Sequence, residues 1–377
     1  MKNKITHILI IAFILRLLLL LINNYVTILP QGDGDAIVME RNAFRFANSN
    51  DLNFSLIFSQ GHYFLSYLGS LLYAIIGREP FIFGLIMVIL GTLVVKKIYV
   101  ASLLLWNNNK LAIKVAWFAA LFPQFCLHSA LILRETPINL FLILATISFI
   151  KYWKHANIKQ LVWFVFYIIV ATLFHSGVIF IFLGFLLFSI IGKKQNQRGK
   201  NKYLRKFLVP VIIVGSIIIV NYWGLGLNKF GGSFENISDQ FNKMENFRSM
   251  GNSSYPSWMR ITGGISDLWK IPIRYFAFLF SPLIPFLVKT PTHLIGLIDG
   301  FLYLLLFYRM NKNRRIINFN SAAKAILIMS LFLTLVFSLG VTNVGTAIRH
   351  RAKIAPMFLI LFLPKNSTFN NNPNYHL

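Results

Sequence analysis

Acidic residues are scarce in this chain: eleven of 377, against 37 lysines and arginines, with charged residues of both signs making up only 13%. A soluble domain of this length carries roughly 25% charged residues on its surface. A soluble globular fold is therefore excluded. The single cysteine, Cys126, lies inside an apolar run, so an internal disulfide and a multi-cysteine metal site are both ruled out. Nucleotide signatures are missing too, with neither a P-loop nor a glycine fingerprint after a strand, so direct activation by a cytoplasmic nucleotide has no support. No internal repeat is visible, which weighs against a transporter assembled from repeated halves. No small-residue cleavage site follows the apolar stretch 5–22, so that stretch reads as a first membrane span.

What is abundant is apolar sequence: 56% of the residues are hydrophobic, in runs recurring from position 5 to 363. A run of about 20 such residues crosses the hydrocarbon core as a helix, because a helix satisfies its own backbone there. The expected fold is an all-α integral membrane protein with about ten transmembrane helices, forming a single polytopic domain over 1–377. The spans fall at about 5–24, 81–100, 112–133, 137–153, 160–175, 177–191, 207–225, 292–308, 321–340 and 352–364. With Met1 inside, the cytoplasmic segments are 1–4, 96–114, 151–159, 192–206, 309–320 and 365–377. The basic clusters, densest from Lys193 to Lys206, fall in them, as the positive-inside rule expects. Both termini are then cytoplasmic, and the location is a bacterial inner membrane. The net charge of +26 is dispersed between apolar runs and not gathered on one polar face, which argues against a nucleic-acid partner.

The acids show a second pattern. Ten of the eleven fall in external segments or at their edges, and Asp299 lies in the outer half of a span. Orientation does not require this, since acids contribute little to it. The chemically capable face is the outer one. Two external loops are long, 25–80 and 226–291, and each holds an apolar stretch, 62–76 and 271–288, suited to lying at the interface. Pro272, Pro282 and Pro285 interrupt the second.

Three segments carry candidate chemistry. Asp33 and Asp35, separated by Gly34, can converge on a divalent cation or leave one carboxylate free as a base. One of them, Asp33, can equally cap the helix starting near Ala36, and Glu40 and Arg41 follow closely. Arg134 and Glu135 emerge at the outer end of the third span, either as a snorkelling pair or facing the same cavity as the aspartates. The segment 345–353 sets Arg349, His350, Arg351 and Lys353 at the outer mouth of the last span, against the charge rule. A phosphate or pyrophosphate ligand offsets such a cluster; anionic lipid headgroups are the alternative. Arg16, in mid-span, is expected to need a partner, for which Asp299 is available. His128, His175 and Cys126 read as packed polar residues.

These features together resemble the GT-C class of membrane glycosyltransferases, which act on lipid-linked sugars at the outer face. The resemblance rests on Asp33-Gly34-Asp35 soon after the first span, the interfacial stretch from His62-Tyr63 to Tyr73 and Gly77, and the span from Gly84 to Lys97. It extends to Phe122-Pro123 with Arg134-Glu135, and to Arg349-His350-Arg351 with Pro356. Within the class, the composition and the large late loop are most similar to O-antigen or capsule repeat-unit polymerases. The resemblance implies a polyprenyl-phosphate-linked or polyprenyl-pyrophosphate-linked glycan donor, a glycan acceptor and other polysaccharide-assembly membrane proteins as partners. It also implies Asp35, with Asp33 as alternate, as the base for the acceptor hydroxyl. Arg349, Arg351, Arg134, Lys353 and His350 would hold the departing phosphate, with Glu40, Arg41 and Glu135 in support. A Mg or Mn ion on the aspartate pair is compatible with it. The rival readings are a single-sugar transferase of the same class, a flippase for a lipid-linked glycan, and a scaffolding membrane protein.

Overall fold

A computed structural model describes residues 2–49, 61–191, 253–261, 265–283 and 290–363. The expected span at 207–225 and the dense basic loop 192–206 lie outside the described residues. Within them the chain is helical: α1 (Lys2–Tyr25), α2 (Ile37–Ala47), α3 (Gly61–Ile76), α4 (Pro80–Trp106), α5 (Asn109–Leu121), α6 (Pro123–Ser129), α7 (Glu135–His155), α8 (Ile158–Phe174) and α9 (Ile181–Ile191). After the second long loop come α10 (Lys270–Phe280), α11 (Pro291–Lys312), α12 (Arg314–Phe319), α13 (Ser321–Leu339) and α14 (Val344–Leu359).

Among the described residues α1, α4, α7, α11 and α13 are each long and apolar enough to cross a membrane. The bent pair α5–α6 adds a sixth candidate, and α3, α8 and the segment Ser176–Ile191 are shorter apolar helices. The chain is a multi-pass helical membrane protein. The stretch 62–76 is the helix α3, as anticipated. Pro272 does not interrupt α10, because it falls in the helix's first turn, where no intrahelical N–H is needed.

The expected span 112–133 is bent by 57° between α5 and α6. Pro123 is the cause: it has no N–H for the Ala119 carbonyl four residues back. In a membrane interior each such orphan must find a partner within the protein. Here the partner is Arg16 of α1, fully buried, which donates to Ala120 O at 3.0 Å and Ala119 O at 3.5 Å. Arg16 therefore answers a broken backbone and does not pair with Asp299. That carboxylate is buried elsewhere, on α11.

Pro356, inside α14, poses the same problem and is answered the same way. The carbonyl it leaves free is Ala352 O. Asn139 of α7, its amide oriented by its neighbours, donates to Ala352 O at 3.1 Å and Lys353 O at 3.0 Å. Replacing Asn139 by Leu keeps the volume and removes both donors. Stability in mixed micelles, read by denaturing-detergent titration, should fall by about 1–3 kcal/mol; an unchanged midpoint would mean that the proline kink needs no such support.

The two ends of the bundle differ. At one end Trp106 Nε1 donates to Ile360 O at 2.7 Å, and Asn320 and Asn313 donate to Leu105 O and Leu363 O, each at 3.2 Å. These bonds tie the ends of α4, α11 and α14 to the start of α13. The opposite end gathers the turn after α1, the start of α7 and the starts of α11 and α14. It is at this end that a cleft opens.

Candidate functional site

The cleft, about 410 Å³, is built by three backbone turns. The first is the segment Gly32–Ala36, a wide turn entered through Gln31 in a left-handed conformation at φ 71°. Glycine is required at position 32, where a Cβ would lie 2.8 Å from Asn23 Oδ1 and 3.3 Å from Leu131. Gly34 takes φ −105°, ψ −116° and turns both flanking aspartates outward. Asp33 and Asp35 are exposed and line the cleft. Asp33 is not the cap of α2, whose cap position is Ala36, with no side-chain capping bond.

The second and third turns are the starts of α11 and α14, both lining the cleft. Thr290 Oγ1 accepts from His293 N at 3.3 Å, and Asn343 Oδ1 accepts from Thr346 N at 2.8 Å. Each cap fixes a helix N-terminus, with its partial positive charge, at the cleft wall. The late loop is held against this wall by two backbone bonds, Val344 N to Ser253 O and Tyr255 N to Thr342 O, both 2.9 Å. Arg274, fully buried, clamps the same junction by donating to Met259 O and Leu339 O at 3.2 Å, and to Val341 O.

Arg349 joins the charged groups. Its Nη1 lies 2.7 Å from Asp35 Oδ2, while Nη2 and Nε reach Glu135 Oε1 at 3.0 and 3.2 Å. Lys353, one turn further along α14, approaches the same Glu135 oxygen at 3.6 Å. Glu135 is wholly buried at the start of α7. An unpaired carboxylate there would be very costly, and two cations on one face of α14 supply the compensation. Partial burial pushes the Asp35 carboxyl up, but Arg349, with help from Arg134, outweighs it and holds the group below the usual range.

The structure separates the basic residues that the sequence placed together. Arg349 is in the cleft, but Arg351 is not. Two residues along a helix turn a side chain through about 200°, so the two arginines face opposite ways. Arg351 is buried and donates to Leu279 O at 3.0 Å, Ser281 O at 2.5 Å and Gly296 O at 2.6 Å. It stitches α14 to the end of α10 and to α11. Lys353 is sealed against Glu135. His350 packs on His175, ring centroids 4.9 Å apart, and on Phe337. Glu40 forms a two-pronged pair with Arg78, both contacts 2.9 Å, and accepts from the Tyr73 hydroxyl at 3.2 Å. That pair ties α2 to the turn before α4. Arg41 is exposed on α2 and does not line the cleft. Arg134 precedes α7, close enough to act on Asp35 and Glu135 electrostatically.

Sequence reasoning gave no part in the cleft to Thr290, His293, Asn343, Thr346 or Gln31, which form its uncharged side. Asn343 was legible as a helix cap, being followed by Val-Gly-Thr and a periodic run. Among the described residues no three His, Cys, Asp or Glu side chains converge on one metal position.

The helical fold is similar to that of one solved membrane protein. The archaeal oligosaccharyltransferase AglB from Archaeoglobus fulgidus, solved with an inhibitory peptide and a dolichol-phosphate, superposes with a TM-score of 0.55 at 14% identity. The match covers 96% of this chain and 50% of AglB, so the chain spans about half the length of that enzyme. At this identity the likeness establishes the fold alone. No family model matches the sequence, and no curated protein is significantly similar to it.

Proposed function

We propose that this protein is a glycosyltransferase of cell-surface polysaccharide assembly. Its donor is a sugar or glycan on a polyprenyl phosphate or pyrophosphate, and it acts at the external face of a bacterial inner membrane. The observation that carries this reading is the cleft itself. One wall presents Arg349 and two helix N-termini, all favourable to a phosphate; beside it stand two exposed carboxylates. Transfer needs both halves. The Asp35 carboxylate takes the proton of the acceptor hydroxyl as its oxygen attacks the anomeric carbon. The bond from that carbon to the phosphate oxygen breaks, and the leaving phosphate carries away the electron pair toward Arg349. Glu135, itself paired with Lys353, holds Arg349 in place from behind.

Asp33 and Asp35 are the residues that would hold a Mg or Mn ion at this cleft. Such an ion would add charge stabilisation at the leaving group. Repeat-unit polymerisation is the finer reading, supported by the composition and the large late loop of the sequence and by a cleft with an uncharged side able to hydrogen-bond a glycan. A single-sugar transferase of the same class uses the same groups.

Two experiments test the proposal. The first concerns the side of the membrane: in intact cells, a cysteine at Ser49 or Ser253 should react with an impermeant maleimide, and one at Ala156, beyond α7, should not. Labelling at 156 alone would reverse the orientation. The second concerns the phosphate. Arg349→Ala in nanodiscs should bind polyprenyl pyrophosphate about 10- to 150-fold more weakly, the size of a charge-assisted hydrogen bond at roughly 1.5–3 kcal/mol. Arg349→Lys should fall between, keeping charge and losing the fork. Equal, modest losses for both, restored by changing the lipid, would identify a headgroup patch instead.

A further inference from the structure

Arg349 has two anionic neighbours of unequal standing. Glu135 is fully buried, takes both Nε and Nη2, and is backed by Lys353. It stays neutralised whatever enters the cleft. Asp35 accepts from Nη1 alone, its side chain is 51% exposed, and it rides on a turn next to Gly34. Nη1 is the nitrogen that Glu135 leaves to the cleft-lining Asp35, and it is there that a phosphate oxygen would bind. Of the charged groups around Asp35, Arg134, just before α7, and Glu135, at its start, act on it, and Asp33 shares its turn. His293 lines the far wall, and Arg349 supplies the hydrogen bond.

We infer that Asp35 and the donor's phosphate compete for Arg349 Nη1, so that the Asp35 carboxylate is masked until phosphate displaces it. The inference rests on the phosphate reading above and adds an order to it: the donor binds first, and its arrival releases the group that activates the acceptor. Without a donor the carboxylate is engaged and the site is idle. No bond in the fold has to break other than the one between Arg349 and Asp35, because the Glu135 contacts hold the guanidinium in place throughout.

Competition makes a prediction of unusual sign. Inorganic pyrophosphate is the probe, titrated calorimetrically onto the full chain in nanodiscs. Asp35→Asn removes the competitor and should tighten pyrophosphate binding about tenfold or more, the scale of one charge-assisted hydrogen bond. Asp33→Asn removes the same charge from the same turn without touching Arg349, and should tighten it by less than about threefold, as an exposed charge does. In an Arg349→Gln background, Asp35→Asn should bring no gain. Equal gains from Asp33→Asn and Asp35→Asn would reduce the effect to general repulsion and overturn the competition. Parent binding that Asp35→Asn leaves unchanged would do the same while sparing the phosphate reading. Failure of pyrophosphate to bind the parent and every variant would instead remove the phosphate reading itself.

Discussion

Asp35→Asn is expected to lower sugar transfer by about 10²–10⁴-fold, the usual worth of a positioned general base. The protein should remain inserted and folded, because Asp35 is exposed and its one hydrogen-bonded partner among the described residues, Arg349, keeps its contacts to Glu135. Asp33→Asn should be milder. Its carboxylate makes no bond within the described residues and lies two residues from the one that meets Arg349. The assay is transfer from a purified lipid-linked donor, with stability measured in parallel. A double variant that retains full activity would remove the base from this turn.

Arg351→Ala is expected to fail in a different way. Its guanidinium, itself fully buried, donates to three backbone carbonyls that would lose their partner. Three orphaned acceptors at about 1–3 kcal/mol each predict a loss of at least ~3 kcal/mol in denaturing-detergent unfolding. Whatever fraction stays folded should bind the donor with parent affinity. Arg349→Lys should show the converse, weakened binding with stability little changed. If Arg351→Ala weakened binding while leaving stability intact, Arg351 would have to face the ligand, contrary to its buried position.

These two arginines also mark how far the sequence could be read. Their presence at the acid-bearing end of the bundle was legible, because membrane proteins sort charge by side and these positions break the sorting. Their different duties were not. From sequence alone the segment 345–353 reads as the mouth of a span at about 352–364, so its basic residues pool as one cluster. Recognising Asn343 as a cap would have started the helix at Val344 and placed Arg349 and Lys353 on one face and Arg351 on the other. Glu135 shows a further limit. Its place beside Pro137 at a helix start was clear, but its burial under two cations depends on α7 meeting α14, which no local pattern encodes. Arg16 is the counterpart within the membrane. A charge in mid-span signals an unmet need nearby, and the nearest acid by topology was Asp299. The need turned out to be a carbonyl that Pro123 had stranded 103 residues along the chain. The proline was visible in the sequence; the partner required the fold.

The central claim is that one cleft binds the donor's phosphate through Arg349 and activates the acceptor through Asp35. Its most direct test is single-turnover transfer from a defined polyprenyl-pyrophosphate glycan by the purified chain in liposomes, comparing the parent with Asp35→Asn and Arg349→Ala. The account predicts transfer by the parent, with loss of the chemical step in Asp35→Asn at saturating donor. It predicts weakened donor use in Arg349→Ala, partly recovered at high donor concentration. Transfer at the parent rate by both variants would contradict it.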